Sequence, residues 1–170
     1  PMKGDSLICR VPGIACCVLT ADCLPVFLTN LKGTEIAIIH AGWRGICRGI
    51  LSKTVNKMFS DPYNLIAWLG PAIGPCHYEV GGDVKDALKK SISSKELWSR
   101  IETCFRESSS EGKFFLDLYK TAGAILKYLG VNKIYGDDHC TFRDIEKYFS
   151  YRRDGETGRM VSAIFIDPKV

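Results

Sequence analysis

Apolar and polar positions divide this chain into short segments of two kinds. Residues 14–20 and 24–29 are apolar runs rich in β-branched side chains, interrupted at Ala21, Asp22 and Cys23, and residues 35–40 form a third such run. Runs of this length and composition predict buried strands. A further strand is expected over 6–11, ahead of the Pro12-Gly13 turn, and others over 65–69, 131–135 and 160–166. After His40 the period changes. Ile46, Cys47, Ile50, Leu51, Val55, Met58 and Phe59 recur at helical spacing, so 44–59 reads as one amphipathic helix with Lys53 and Lys57 on its polar side. Segments 82–92 and 95–106 also read as amphipathic helices. Asp117 is a natural N-cap for a helix whose stripe is Leu118, Ala122, Ile125, Leu126 and Leu129, with Gly130 at its C′ position. The polar stretch 107–113 reads as a loop, and 142–151 fits a short helix or a strand equally well.

Strands crowd the first part of the chain and helices enter later. The pattern predicts an α+β fold, a mixed sheet with helices outside it, rather than a regular βαβ alternation. The 170 residues suit a single domain over 1–170, large enough to bury roughly 70% of its unfolded surface. A 46% hydrophobic and 25% charged composition excludes a disordered, collagen-like or coiled-coil chain. The apolar runs are far shorter than the roughly 20 residues of a membrane span, so no membrane partner is expected. A net charge of +4 is too small to argue for nucleic acid, and it fits a protein that handles an anionic small molecule. The eight cysteines include no C-x-x-C pair, which removes zinc-ribbon and thioredoxin-like readings. With no signal-peptide pattern, they are expected as reduced thiols of a cytoplasmic protein, most of them packed as small hydrophobes.

Candidate chemistry is densest in two blocks, TADCLP (20–25) and HAGWRG (40–45). Asp22 and Cys23 lie at a break between strands and His40 at a strand end, where side chains can converge on a ligand. Cys23 and His40 on adjacent strands could bind zinc or copper. They could equally form a nucleophile–base pair, or be a packed thiol and a strand-end imidazole. Gly42 and Gly45 bracket Trp43-Arg44 where a helix opens. Such a turn frees backbone N–H groups for an anion, and Arg44 can grip phosphate with two donors. In FSYRRDGETGR (149–159), Arg152, Arg153 and Arg159 stand beside Tyr148 and Tyr151, so this block is either a solvated hairpin or a second phosphate or base cradle. The block GPAIGPCHYEVG carries Cys76, His77 and Glu79, with His77 a ligand or a structural residue. Only three histidines are present and none is spaced H-x-H, which argues against a copper phenol oxidase.

TADCLPVFL, HAGWRG, GPAIGPCHYEVG, DLYKTA and Cys140-Thr141 followed by FSYRRDGETGR resemble, in order, the motifs of the laccase-domain family, over 4–166. Members of that family have been called multicopper polyphenol oxidases, peptidoglycan editing factors and purine nucleoside phosphorylases. The resemblance implies mixed β-sheets layered with helices in an αββα arrangement similar to the cysteine hydrolase fold. It also implies phosphorolysis of adenosine, inosine and methylthioadenosine, with hydrolytic deamination of adenosine. Purine nucleoside and phosphate are then the partners, and zinc, with copper as the alternative, is the cofactor. The family's metal ligands carry over to Cys23 and His40. Its third ligand, a histidine ahead of the first strand, has no counterpart here, and neither His77 nor His139 is supported by the family pattern in its place. The chain is therefore expected to lack an N-terminal segment of a slightly larger domain. For the reaction, Cys23 and His40 are the expected catalytic pair and Asp22 a proton shuttle or a structural cap. Gly42, Arg44, Arg152 and Arg153 are the expected phosphate and substrate contacts. A metal-free Cys23–His40 hydrolase acting on an acyl or amide bond, as in peptidoglycan precursors, is the main alternative.

Overall fold

The computed structural model describes residues 4–136 and 138–168. Its centre is a five-stranded mixed sheet in the order β1-β4-β3-β5-β9. The strands are β1 (Ser6–Cys9), β3 (Leu24–Asn30), β4 (Ile36–Ala41), β5 (Leu65–Leu69) and β9 (Lys133–Gly136). All neighbours run antiparallel except β5 and β9. Alternation along each strand decides which layer each side chain joins. Leu24, Val26 and Leu28, Ala37, Ile39 and Ala41, and Leu65, Ala67 and Leu69 face the helices and form one core with them. Burying a leucine as fully as Leu24 or Leu28 contributes about 1.5–3 kcal/mol.

The opposite face carries Ile38, Phe27, Leu7 and Cys9. These pack under a two-stranded ribbon of β2 (Cys16–Thr20) and β10 (Met160–Ile164), through Cys16, Val18 and Ile164. The described residues thus build three layers: helices, main sheet and ribbon. The fold is α+β, with mixed sheets and helices, as the pattern predicts. A separate three-stranded sheet, β6 (Glu79–Gly81), β8 (Lys113–Leu116) and β7 (Phe105–Glu107), lies beyond it.

Several sequence expectations shift. The single helix over 44–59 is two short helices, α1 (Trp43–Cys47) and α2 (Ile50–Val55). Gly49 breaks them at φ 73°, a left-handed conformation that glycine adopts at no steric cost. Phe59 is not part of a buried stripe. It is 84% exposed, with the Arg10 guanidinium 3.5 Å above its ring. Helix α3 (Gly82–Ser91) is as expected, but α4 (Lys95–Glu102) stops early because Phe105 and Arg106 enter β7. The Asp117 side chain caps α5 (Leu118–Tyr128) as the sequence predicts, accepting from Lys120 N. The ambiguous 142–151 stretch is mostly turns, ending at the four-residue helix α6 (Tyr151–Asp154). All eight cysteines are free thiols, but only Cys16, Cys104 and Cys140 are buried. Cys17 is exposed because alternation turns it to the outer face of the ribbon.

Candidate functional site

The β3–β4 hairpin builds the site. Its register pairs Leu24 with Ala41 and Pro25 with His40, so Cys23 falls beside Gly42 at the open end. Gly42 has an ordinary extended backbone, φ −74° and ψ 161°. Space is what requires glycine there. A Cβ at Gly42 would stand 2.9 Å from Cys23 Sγ and 3.8 Å from His40 Nε2. The two donors therefore share one uncovered opening.

His40 is fixed from its other side. Its backbone N–H donates to Asp5 O at 2.7 Å, and its Nδ1 lies 3.0 Å from Asp5 Oδ1. The result is a carboxylate–imidazole–thiol line, Asp5–His40–Cys23. His40 is raised from 6.5 to about 9, first by its hydrogen bond with Cys23 and then by Asp5, against the opposing effect of burial. At neutral pH the ring is an imidazolium.

A cavity of about 250 Å³ opens on this line. Asp5, Cys23, His40, Gly42, Arg44 and Arg48 are on its walls. The Arg44 guanidinium sits 4.5 Å over the Trp43 ring, the kind of stacking that suits its weak hydration. The expectation of an anion site at a long helix N-terminus changes here. Helix α1 has five residues, so the attraction for an anion rests on the guanidinium groups.

Asp22 lies behind the cavity, buried, with φ 87°. It is the one non-glycine residue with positive φ among those described. Its backbone carbonyl accepts from Ile73 N at 3.0 Å. Its carboxylate accepts from Thr141 Oγ1 at 2.6 Å and from Arg152 N at 2.7 Å. Those bonds hold the bend that presents Cys23. The two neighbouring arginines diverge. Arg152 donates through Nη1 to Glu79 O and lies 5.2 Å over the Tyr78 ring. Arg153 turns inward: its guanidinium binds the carbonyls of Thr141, Phe142 and Tyr148 and the Asp154 carboxylate. All five of its N–H donors are then engaged, and Arg153 acts as a clamp on 141–154.

Two residues of this region were not singled out from the sequence. Asp5 faces His40 only because β1 and β4 pair with Ser6 opposite Ile39. Tyr78 is the second. Burial chiefly, with the Cys23 sulfur and Asp22, pushes its phenol well above the usual range, while Arg152 and Arg44 oppose the shift. It stands within electrostatic reach of all four. The flanking Arg44–Trp43 and Arg152–Tyr78 contacts were within reach of sequence reasoning, since each pairs a motif arginine with a motif aromatic. His77 and His139 line a different cavity and do not approach His40.

The family description that matches residues 1–167 is multi-copper polyphenol oxidoreductase laccase. A purine nucleoside phosphorylase of Haemophilus influenzae is 44% identical over 98% of this chain and 66% of its own length. One of Escherichia coli K12 is 44% identical over 96% of this chain and 64% of its own. A crystal structure of a Neisseria meningitidis protein superposes with a TM-score of 0.88 at 44% identity, over 96% of this chain and 64% of the other. A Geobacillus stearothermophilus structure gives 0.87 at 32% identity, over 96% and 61%. The chain spans about two thirds of the length of these relatives. With this match over nearly all its residues, the chain belongs to the multi-copper polyphenol oxidoreductase laccase family.

Proposed function

We propose that this chain carries the working centre of a purine nucleoside phosphorylase acting in the cytoplasm on adenosine, inosine and methylthioadenosine, with hydrolytic deamination of adenosine as a second activity. One observation carries the reading: a single cavity unites the Cys23–His40 pair with the Arg44 and Arg48 guanidinium groups. Relatives named purine nucleoside phosphorylase match 96–98% of the chain at 44% identity. In phosphorolysis a phosphate oxygen bonds to the anomeric carbon as the bond from that carbon to the purine nitrogen breaks. Arg44 and Arg48 hold the phosphate, and Arg152 approaches from the Tyr78 side. In the metal-free site His40 is protonated at neutral pH and gives its proton to the departing purine. Positioning and charge stabilisation supply most of the rate.

Cys23 and His40 are the residues that would hold a zinc ion, with copper as the alternative. A thiol and an imidazole suit either metal. Asp5 occupies His40 Nδ1 as a carboxylate does in many zinc sites, and Gly42 keeps the space beside both donors open. They are two donors, where a catalytic zinc takes three from protein, so no step above runs through a metal. When bound, such an ion supplies a water of lowered pKa, the chemistry deamination needs.

The test is purine release from adenosine and inosine, with and without phosphate, in added zinc and in chelator. Phosphate-dependent release that disappears in Cys23→Ser and His40→Ala, with a raised phosphate KM in Arg44→Ala, is expected. No release with phosphate and zinc both present overturns the reading. The Asp5–His40–Cys23 line favours one second reading, a metal-free hydrolase of acyl or amide bonds, such as those of peptidoglycan precursors, with Cys23 as nucleophile. Hydrolysis abolished by Cys23→Ser and indifferent to chelator identifies it.

A further inference from the structure

Away from Cys23, the molecule holds a second thiol–imidazole pair. Cys140 bridges to Ala72, which sets its side chain against the loop before β6. Its Sγ lies 3.4 Å from His77 Nδ1 and accepts from the Gly74 N–H at 3.2 Å. Stacking on Phe142 fixes the His77 ring, with centroids 4.6 Å apart and planes at 18°. A cavity of about 230 Å³ opens on the pair, with Cys76, His139, Asp138 and Arg143 also on its walls. Arg143, held by the Asp144 carboxylate, senses both the Cys140 and the Cys76 sulfurs. The thiol is set back. Cys140 is 6% exposed, and a Cβ on Gly74 would stand 3.0 Å from its Sγ. This low exposure favours a small reagent at the sulfur over a bulky acyl or glycosyl donor.

We propose that Cys140 is a peroxide-reactive thiol, a modification site separate from the Cys23 centre, in which His77 serves as base and then as acid. His77 Nδ1 takes the Cys140 proton while the sulfur attacks one peroxide oxygen. The S–O bond forms as the O–O bond breaks, and the sulfur is oxidised by two electrons. The departing hydroxide takes the proton back from His77 and leaves as water. Cys140 sulfenic acid and water are the products, and the imidazole is restored. The Gly74 N–H and the Arg143 guanidinium face the charge that passes through the sulfur and the leaving oxygen. Neighbouring cations and an imidazole are what distinguish reactive thiols from inert buried ones. At the other two buried cysteines burial is the largest influence, and it pushes the Cys16 and Cys104 thiols up.

The experiment treats the chain with less than one equivalent of hydrogen peroxide, quenches it in denaturant containing dimedone, and maps the labelled peptides by mass spectrometry. Cys23 is read in its own peptide. Cys140 is expected to carry at least about tenfold more label than Cys16 or Cys104, and His77→Gln should cut Cys140 labelling by about tenfold with an unchanged melting curve. Labelling of Cys140 no faster than that of Cys16 or Cys104, or undiminished in His77→Gln, overturns the proposal. If His77→Gln melts early, Arg143→Gln takes its place, because it leaves the pair itself intact. Slower labelling then supports the proposal and unchanged labelling overturns it.

Discussion

Replacing Gly42 with alanine separates the integrity of the fold from the electrostatics of the site. The extended backbone at Gly42 accepts alanine without strain. Restricting the unfolded chain there contributes about 0.4–1 kcal/mol of stability. Against this, the new Cβ would stand 2.9 Å from Cys23 Sγ. The thiol must swing aside, and an off-rotamer χ1 costs about 0.5–1.5 kcal/mol. The two effects nearly cancel, so at the alkaline end, where the His40 contribution is gone, the melting temperature should move by no more than about 4 °C. His40, in contrast, loses its principal partner. The rise from 6.5 to about 9 is led by the Cys23 hydrogen bond. At about 1.4 kcal/mol per unit, that rise has a ceiling of about 3.4 kcal/mol; water screens a ring that is 32% exposed and lowers the realised figure. With the thiol displaced, His40 should titrate at least about one unit lower. Because the folded pKa is raised, the imidazolium's contribution is full below 6.5 and is lost as pH rises through about 9. The variant should therefore lose less stability than the wild type over that window. An NMR titration of the His40 ring, with calorimetry at both ends of the window, reads both effects. A folded Gly42→Ala protein in which His40 still titrates near 9 would refute the reasoning.

Asp5→Asn should also lower the His40 pKa, but by less than Gly42→Ala, because Cys23 is the larger cause and the Asp5 side chain is 58% exposed; the same titration ranks the two. Glu35 is 3% exposed. Its burial raises the carboxyl, but bonds from the Phe59 and Ser60 amides and from Arg10 outweigh that and leave it below the usual value. Its contribution is present above 4.5 and is lost as pH falls through the depressed folded pKa. Glu35→Gln should cost about 1.5–3 kcal/mol in urea unfolding at pH 7 and much less at the acid end. The Tyr119 hydroxyl accepts from Ala72 N at 2.7 Å and donates to His139 O at 2.9 Å. Tyr119→Phe strands that buried amide and should cost about 1–3 kcal/mol by urea unfolding, with no change in the His40 titration.

What the sequence made legible follows from distance along the chain. Cys23, His40, Gly42 and Arg44 stand within one hairpin and the turn after it, and the residue alternation of β3 and β4 fixes which of them meet. The apolar runs were readable because alternate residues of β3, β4 and β5 pack completely against helices and those of β2 against the other face of the main sheet. Strands β6, β7 and β8 were not, since their side chains are mostly half-exposed and carry no alternating signal. Nor were the partners that arrive from far away. Asp5 is 35 residues from His40, and Arg152 is 130 from Asp22. Arg152 and Arg153 look equivalent in the motif. Their roles separate only when the turns at 141–148 wrap the second guanidinium in carbonyls, leaving the first to reach Tyr78.

Asp22 is where these long-range contacts meet. Through three bonds it ties the end of β2 to Ile73, to Thr141 and to Arg152. Two of those residues lead to the Cys140 pair and the third to the Cys23 side. Ile73 precedes Gly74, whose N–H serves the Cys140 sulfur, and Thr141 follows Cys140 itself. Arg152 borders the Cys23 side through Tyr78. A left-handed backbone at a non-glycine residue costs on the order of 1 kcal/mol, and here it is offset by a carboxylate with both oxygens bonded. Asp22→Asn keeps the shape but exchanges one acceptor oxygen for a donor that faces either the Thr141 hydroxyl or the Arg152 amide. The amide position has no way to reverse its bond, so the hydroxyl must turn, and the Thr141 side should loosen while the bond from Arg152 N is kept. Amide hydrogen exchange that rises at 140–144 and stays level at 150–154 and 24–41 is the expected pattern, and a uniform rise across all three would show that Asp22 holds them as one unit.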